Sequence, residues 1–187
     1  MNKANHPMRT VNFRDLPANV LQSAGGVKKN WFDMTDPGLK KQVDKHAQHL
    51  LDGEFDRLAS YYNSILPVFR GDDLVLINGR IELLRFLEKF RNHLLASGVK
   101  HIQGEIIGAK SSLDGRFQNT VKWRYFDAEG NAVGFAQVLY YGTQRDGKSI
   151  IEVVNYQEFD ERRSDVWNEF QTDQPKIKIV PTGRIQH

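Results

Sequence analysis

The stretch "KWRYFDAEGNAVG", residues 122–134, decides the fold because charged and aromatic side chains alternate in it before an acidic turn. In an extended strand, Lys122 and Arg124 share one face, whereas Trp123 and Tyr125 share the other. Burying an unpaired charge is costly, so we expect the rings to face the rest of the protein and the charges to face water. The stretch therefore predicts a half-buried hairpin strand whose inner face carries large rings.

The same two-residue period continues through the C-terminal half of the chain. From Val99 onward it predicts four strands, at about residues 100–109, 116–127, 132–144 and 149–159. Turn segments rich in Asp, Asn and Gly join them. In the last strand Glu152 and Glu158 mark the wet face, so alternation predicts an inward set of Ile151, Val153, Asn155 and Gln157.

The N-terminal half of the predicted domain has helical spacing instead. Asp36 and Pro37 suit the start of a helix, and Asp52-Gly53 breaks it. A second, shorter helix follows from Phe55. The first helix carries apolar residues at helical spacing, namely Leu39, Val43, Ala47 and Leu50.

A strand pair and a long helix come next. "ILPVFRGDDLVLI" predicts two short strands, and Pro67 indicates that the first is an edge strand or bulged. Helices followed by a run of hairpins predict an α+β fold with a mostly antiparallel sheet. The helix between Asn78 and Gly98 has the clearest apolar stripe of the chain, formed by Leu83, Phe86, Leu87, Phe90 and Leu94.

The order of these elements resembles the nuclear transport factor 2-like superfamily, which includes ketosteroid isomerase, polyketide cyclases and scytalone dehydratase. The matching stretches are "LLDGEFDRLASYYN" at 50–63, the Gly79-led helix at 79–97 and "KSIIEVVNYQEFD" at 148–160. The resemblance covers roughly residues 36–160. It implies a curved sheet wrapped round the helices, forming a cone with an internal pocket for a small apolar molecule.

The resemblance implies no single reaction, because one fold hosts many activities. Ketosteroid-isomerase-type chemistry needs a carboxylate base on the early strand. That strand here reads Leu66-Pro67-Val68-Phe69 and has no carboxylate, which counts against this isomerase activity. Another branch, including dehydratases and a dehalogenase, pairs a strand histidine with an aspartate from the helix junction. By position His101 and Asp52 are that predicted catalytic pair, with His101 as the base. The alternative is that Asp52-Gly53 is an ordinary turn and His101 an exposed residue at a strand start.

Inward-facing rings and amides are the predicted ligand-binding residues. Asn155 either orients a ligand carbonyl or bonds a neighbouring side chain. His46 and His49 lie three residues apart on a helix, a spacing that can bind metal, but a solvated helix face is favoured because no third ligand is apparent. No metal and no cofactor are expected. The predicted ligand-binding set is Tyr62, Phe69, Phe86, Phe90, Trp123, Tyr125, Tyr140 and Asn155.

Composition narrows the class of protein. The chain has 187 residues, 40% hydrophobic and 26% charged, which is typical of a soluble globular domain. No apolar run approaches the ~20 residues that cross a bilayer, and no signal peptide is apparent, so we expect a cytoplasmic protein without membrane contact. With no cysteine, the chain has no thiolate nucleophile and no disulfide.

Charge is distributed unevenly along the chain. Residues 1–35 carry five Lys and Arg against two Asp, whereas residues 36–160 carry 16 basic and 17 acidic groups. Because no basic face or groove is apparent, nucleic-acid binding is not expected. We predict an N-terminal arm at 1–35, the cone domain at 36–160 and a C-terminal extension at 161–187. Apolar residues in the extension favour packing across a dimer or over the pocket mouth, and the alternative is that the extension folds back on the same subunit.

Two functions remain open from the sequence. The first is a small-molecule pocket protein, either a binding module or a cofactor-independent acid–base enzyme of the lyase, isomerase or cyclase type. The second is a non-catalytic domain that homodimerises or binds another protein. An open cavity of a few hundred cubic ångströms with convergent polar groups would support the first. A cone plugged by Trp123, Tyr125 and the helix stripe would support the second.

Overall fold

The computed structural model describes residues 31–33, 37–71, 73–145 and 148–159. Residues 1–30 of the predicted arm, the predicted helix cap Asp36 and the predicted extension at 161–187 lie outside the described residues. The last part of the arm, Trp31–Asp33, forms a short strand. It pairs antiparallel with the strand His101–Ser112, with Trp31 opposite Ser112.

Three helices precede or interrupt the sheet. They are α1 (Pro37–Asp52), α2 (Phe55–Ala59) and α3 (Arg80–Ala96). Gly53, with φ of 74°, separates α1 from α2, and Gly98, with φ of 80°, follows α3. Such positive φ values strain other residues, which is why glycine ends helices here. Within the described ranges, no helix is both long and apolar enough to cross a membrane.

The described strands form one sheet of seven in the order β1-β4-β5-β6-β7-β2-β3. Neighbouring strands are antiparallel except for β2 and β7, which are parallel. The strand bounds are β1 Trp31–Asp33, β2 Ile65–Arg70, β3 Asp73–Asn78, β4 His101–Ser112, β5 Arg116–Phe126, β6 Ala132–Arg145 and β7 Lys148–Phe159. The predicted α+β architecture, a curved sheet around the helices, is confirmed.

The inner face of the sheet carries the rings that alternation predicted. Trp123 and Tyr125 on β5 are only 5% and 4% exposed, and both belong to the hydrophobic core. Lys122 and Arg124 lie on the other face, where Arg124 pairs with Glu105 on β4 at 2.8 Å. The predicted orientation of this strand is therefore confirmed.

Close packing of α1 on the sheet depends on a glycine in β4. A Cβ atom on Gly104 would lie 2.3 Å from Val43 Cγ1 and 2.7 Å from the Trp123 ring. Because Gly104 has no side chain, Val43 of α1 and the Trp123 indole fill the space that a Cβ atom would take.

Two bulges in β7, at Glu152 and Gln157, reverse the predicted faces of the residues between them, whereas Glu158 is exposed as predicted. Tyr141 pairs with Val153 and Gly142 with Ile151, so Glu152 is an extra residue without a partner on β6. The alternation shifts by one position there. Glu152, predicted to be in water, is 3% exposed and accepts hydrogen bonds from Arg116 and Thr143.

Neither predicted alternative for β2, an edge strand or a bulged strand, is found, because its pairings with β3 and β7 run without a register shift. β2 lies between β7 and β3, and its parallel pairing with β7 begins at Val68. Pro67 lies one residue before that pairing, so its missing N–H removes no bond of the parallel ladder.

Candidate functional site

A partly open cavity lies between the helices and the inner face of the sheet. α1, α2 and α3 cover it on one side, and β2, β4, β5, β6 and β7 line the other. Its volume is about 40 Å³, room for about three water molecules. None of the described lining residues is Asp, Glu, Lys or Arg.

His46 on α1 is the cavity residue that the sequence analysis assigned wrongly. The predicted solvated face would place it in water, but it lies under the sheet and lines the cavity. Its ring stacks on Trp123, with ring centroids 5.4 Å apart. Burial, with a smaller contribution from His49, lowers the pKa of His46 from 6.5 to about 4. The imidazole is therefore neutral at neutral pH.

The signal for His46 was present in the helical spacing. Val43, His46, Ala47 and Leu50 follow i, i+3, i+4 and i+7, so all four share one side of α1. A histidine on an apolar stripe is a candidate for a buried polar group.

A hydrogen bond joins His46 to the start of the sheet. Its Nε2 atom lies 2.5 Å from the Tyr62 hydroxyl oxygen. Burial, and secondarily Tyr156, raises the pKa of Tyr62 well above its usual range. The phenol therefore stays protonated and can donate to the neutral imidazole.

A second polar pair lies on the neighbouring strands. Trp123 Nε1 donates to the Tyr140 hydroxyl oxygen at 2.9 Å. Burial raises the pKa of Tyr140 well above its usual range, so the hydroxyl keeps its proton. An indole N–H only donates, so the Tyr140 oxygen is the acceptor in this bond. The Tyr140 proton itself has no acceptor among the described residues.

Most predicted ligand-binding residues line this cavity, and two do not. Phe69 and Asn155 are paired neighbours on β2 and β7, and neither lines it. On β2 the lining residues are Leu66 and Val68, so Phe69 points to the opposite face. On β7 the bulge turns Val154 toward the cavity, so Asn155 points away from it. The predicted residues that do line it are Tyr62, Phe86, Phe90, Trp123, Tyr125 and Tyr140.

The structure does not bring the predicted catalytic pair together. His101 and Asp52 are both exposed, and neither lines the cavity. No hydrogen bond or ion pair joins these two described residues. The reason is strand alternation, because Ile102 is the residue of β4 that faces the cavity and His101 faces away.

His49 does not form a metal site with His46. Its Nδ1 atom lies 2.5 Å from Glu54 Oε2, at the junction of α1 and α2. Burial raises the pKa of Glu54, but the hydrogen bond from His49 and the charge of Arg57 together outweigh it and hold that pKa below its usual value. Over the described ranges, no three His, Asp or Glu side chains cluster closely enough to hold a metal ion.

Comparison with known proteins gives likeness in structure but not in sequence. No protein-family model and no curated protein matches the chain. The solved structure Rd1NTF2_05 with five substitutions has a TM-score of 0.50 and 18% identity, covering 64% of this chain and 96% of its own. This protein has the nuclear transport factor 2-like fold.

Two further solved structures resemble this chain. Aln2 from a Streptomyces species has a TM-score of 0.52 and 9% identity, covering 67% of this chain and 94% of its own. A protein of unknown function from Mycobacterium tuberculosis has a TM-score of 0.51 and 11% identity, covering 75% and 97%. At these identities the likeness concerns the fold, and the function has to come from the cavity.

Proposed function

We propose that this protein binds a compact, neutral and mainly apolar molecule inside the cone, through one hydrogen-bond acceptor such as a carbonyl oxygen. The observation that carries the proposal is the Tyr140 hydroxyl. It is buried at the cavity wall and accepts from Trp123, yet its own proton has no described acceptor. A buried donor without an acceptor is costly, so a ligand that supplies one is favoured.

The lining supports a neutral ligand. His46 is its only described side chain that ionises near neutral pH, and burial holds its pKa at about 4. A charged ligand would find no opposite charge in the lining and would lose its hydration. The remaining lining is aliphatic and aromatic, which favours an apolar ligand body.

The cavity volume supports a compact ligand. At about 40 Å³ the cavity is far below the roughly 300–1,000 Å³ of drug-sized sites. The cavity of a few hundred cubic ångströms that would favour a pocket protein is therefore not present, and the burial of Trp123 and Tyr125 agrees with the alternative of an assembly domain. What supports the pocket protein is the convergence of polar groups on the small cavity. Since the space holds about three water molecules, a ligand as large as a six-membered ring requires lining side chains to move.

Binding is favoured over acid–base catalysis as the function of this cavity. The neutral His46 ring and the Tyr62 hydroxyl are a proton acceptor and donor in contact, as acid–base chemistry requires. A general base works best when its pKa lies near the working pH, and a pKa of about 4 makes His46 a weak base.

Isothermal titration with cyclohexanone and methylenecyclohexane tests the proposal. The two rings have nearly the same shape, and only the ketone has an acceptor oxygen. We expect the ketone to bind ~2–10-fold more tightly, the value of one neutral hydrogen bond of about 0.5–1.5 kcal/mol. Tyr140→Phe should abolish that preference.

Tyr141→Phe is the matched control, since Tyr141 is the next residue on β6 and does not line the cavity. It should keep the preference for the ketone. The proposal is wrong if neither ring binds, or if Tyr140→Phe leaves the ketone preference unchanged.

A further inference from the structure

A second cavity lies beside the first, between α1 and the inner face of β5, β6 and β7. Its volume is about 30 Å³, room for about two water molecules. Three rings are shared by the two cavities, those of His46, Trp123 and Tyr140. These rings form the wall between them.

Asn119 on β5 is a buried polar side chain in this second cavity. It is 8% exposed, and its carboxamide forms no hydrogen bond with any described residue. A carboxamide has two donor hydrogens and one acceptor oxygen, so both kinds of bond are unused. The Asn119 carboxamide atoms are accessible within the cavity, so a ligand there has to replace the hydrogen bonds that water can make to them.

A second carboxamide lies across the cavity on α1. Gln42 is half-buried, lines the same space and likewise makes no side-chain hydrogen bond with a described residue. No Asp, Glu, Lys or Arg is among the described lining residues. The cavity therefore combines two neutral amides with apolar walls, which suits a neutral group and not an ion.

We propose that the second cavity is a binding site for a small neutral group that both donates and accepts hydrogen bonds, with a primary amide as the ligand class. A primary amide can face the Asn119 carboxamide with one N–H donated in each direction, so both unused functions are satisfied. The carboxamide group of acetamide is near the size of the two water molecules, and its methyl group would lie toward the open side of the cavity. This site is separate from the proposed ketone site, because Asn119 does not line the first cavity.

Amide spectra of the ¹⁵N-labelled full chain, titrated with acetamide, test the inference. We expect saturable shifts of the Asn119 side-chain NH₂ signals, and weaker binding of acetone, which has a similar shape but no N–H donor. Asn119→Leu should weaken acetamide binding at least tenfold. Gln118→Leu, on the next residue and the opposite face of β5, should bind acetamide as the wild type does.

A crystal structure of the wild-type chain soaked in acetamide gives a test that does not depend on the folding of a variant. Acetamide within hydrogen-bond distance of the Asn119 carboxamide is the expected result. Water only in the second cavity at saturating acetamide would overturn the inference, as would unchanged acetamide affinity in a folded Asn119→Leu protein. Cyclohexanone affinity of the Asn119→Leu protein, measured in parallel, should equal that of the wild type, because Asn119 does not line the first cavity.

Discussion

At the scale of single residues, the Trp123 side chain joins the hydrophobic core to the polar groups of the cavity. Its ring is buried between α1 and the sheet, and its N–H donates to Tyr140. We expect Trp123→Ala to lower the free energy of unfolding by ~3–5 kcal/mol, because a large core ring is lost. Urea denaturation followed by circular dichroism measures this difference.

Lys122→Ala is the matched control on the neighbouring position. Its side chain lies on the outer face, with Nζ 5.7 Å from the centre of the Phe135 ring. Removing it should change the free energy of unfolding by less than about 0.5 kcal/mol. A larger loss for Lys122→Ala than for Trp123→Ala would mean that the strand is inside out.

Residue chemistry explains why the rings were predictable and the histidine was not. Trp123 and Tyr125 alternate with two fixed positive charges, which leaves one inward face. His46 can be neutral or charged, and its neighbour Lys45 is polar, so composition alone favours solvent. Only the stripe through Val43 and Leu50 indicates burial.

At the scale of elements, the approach of α1 to β4 depends on Gly104. A Cβ there would overlap Val43 and Trp123, at 2.3 and 2.7 Å. We expect Gly104→Ala to lower the free energy of unfolding by ~1–3 kcal/mol, as overpacking does. Thermal and urea unfolding of the variant measure this loss.

Gly108→Ala on the same strand is the control. A Cβ at Gly108 would meet Thr120 at 3.6 Å, which is ordinary contact, so the change should be neutral or slightly stabilising. Equal losses for the two variants would contradict the packing of α1 described above.

The bounds of the strands followed from the sequence, whereas the inward face of β7 and the place of β2 in the sheet did not. Alternation and Asp-Gly turns located β4 to β7 within three residues at each end. The bulge at Glu152 leaves no mark in the alternation, because a buried glutamate held by Arg116 reads as a solvent residue. Asn155 was therefore assigned to the wrong face. Pro67 similarly misled the placement of β2, since a proline is tolerated beside a ladder that starts one residue later.

At the scale of the whole molecule, the enclosed histidine couples folding to pH. The pKa of His46 is about 4 in the folded protein and 6.5 without the surroundings of the fold. Below pH 6.5 the unfolded chain therefore takes up a proton that the folded protein does not, so stability falls as pH falls from 6.5 to 4. Above pH 6.5 the imidazole is mostly neutral in both states, so His46 causes no further change of stability there.

Because of His46, we expect the free energy of unfolding to be about 2 kcal/mol lower at pH 5 than at pH 7. Urea denaturation at both pH values, on the wild type and on His46→Gln, isolates this effect. The variant should lose less stability on acidification than the wild type. Equal pH dependence of the two proteins would contradict burial of His46.

The homodimer, the cytoplasmic location and the role of the two terminal segments stay predictions from the sequence. The likeness of fold does not decide any of these three predictions. What the whole molecule does establish is a cone with polar groups converging on an apolar interior.

An NMR titration of the histidine ring signals tests directly whether the cone shelters a neutral imidazole at the cavity wall. We expect the His46 ring to titrate with a midpoint of about 4, and its signals to respond to cyclohexanone at neutral pH. A His46 midpoint near 6.5 would place the ring in water and contradict its shelter in the cone.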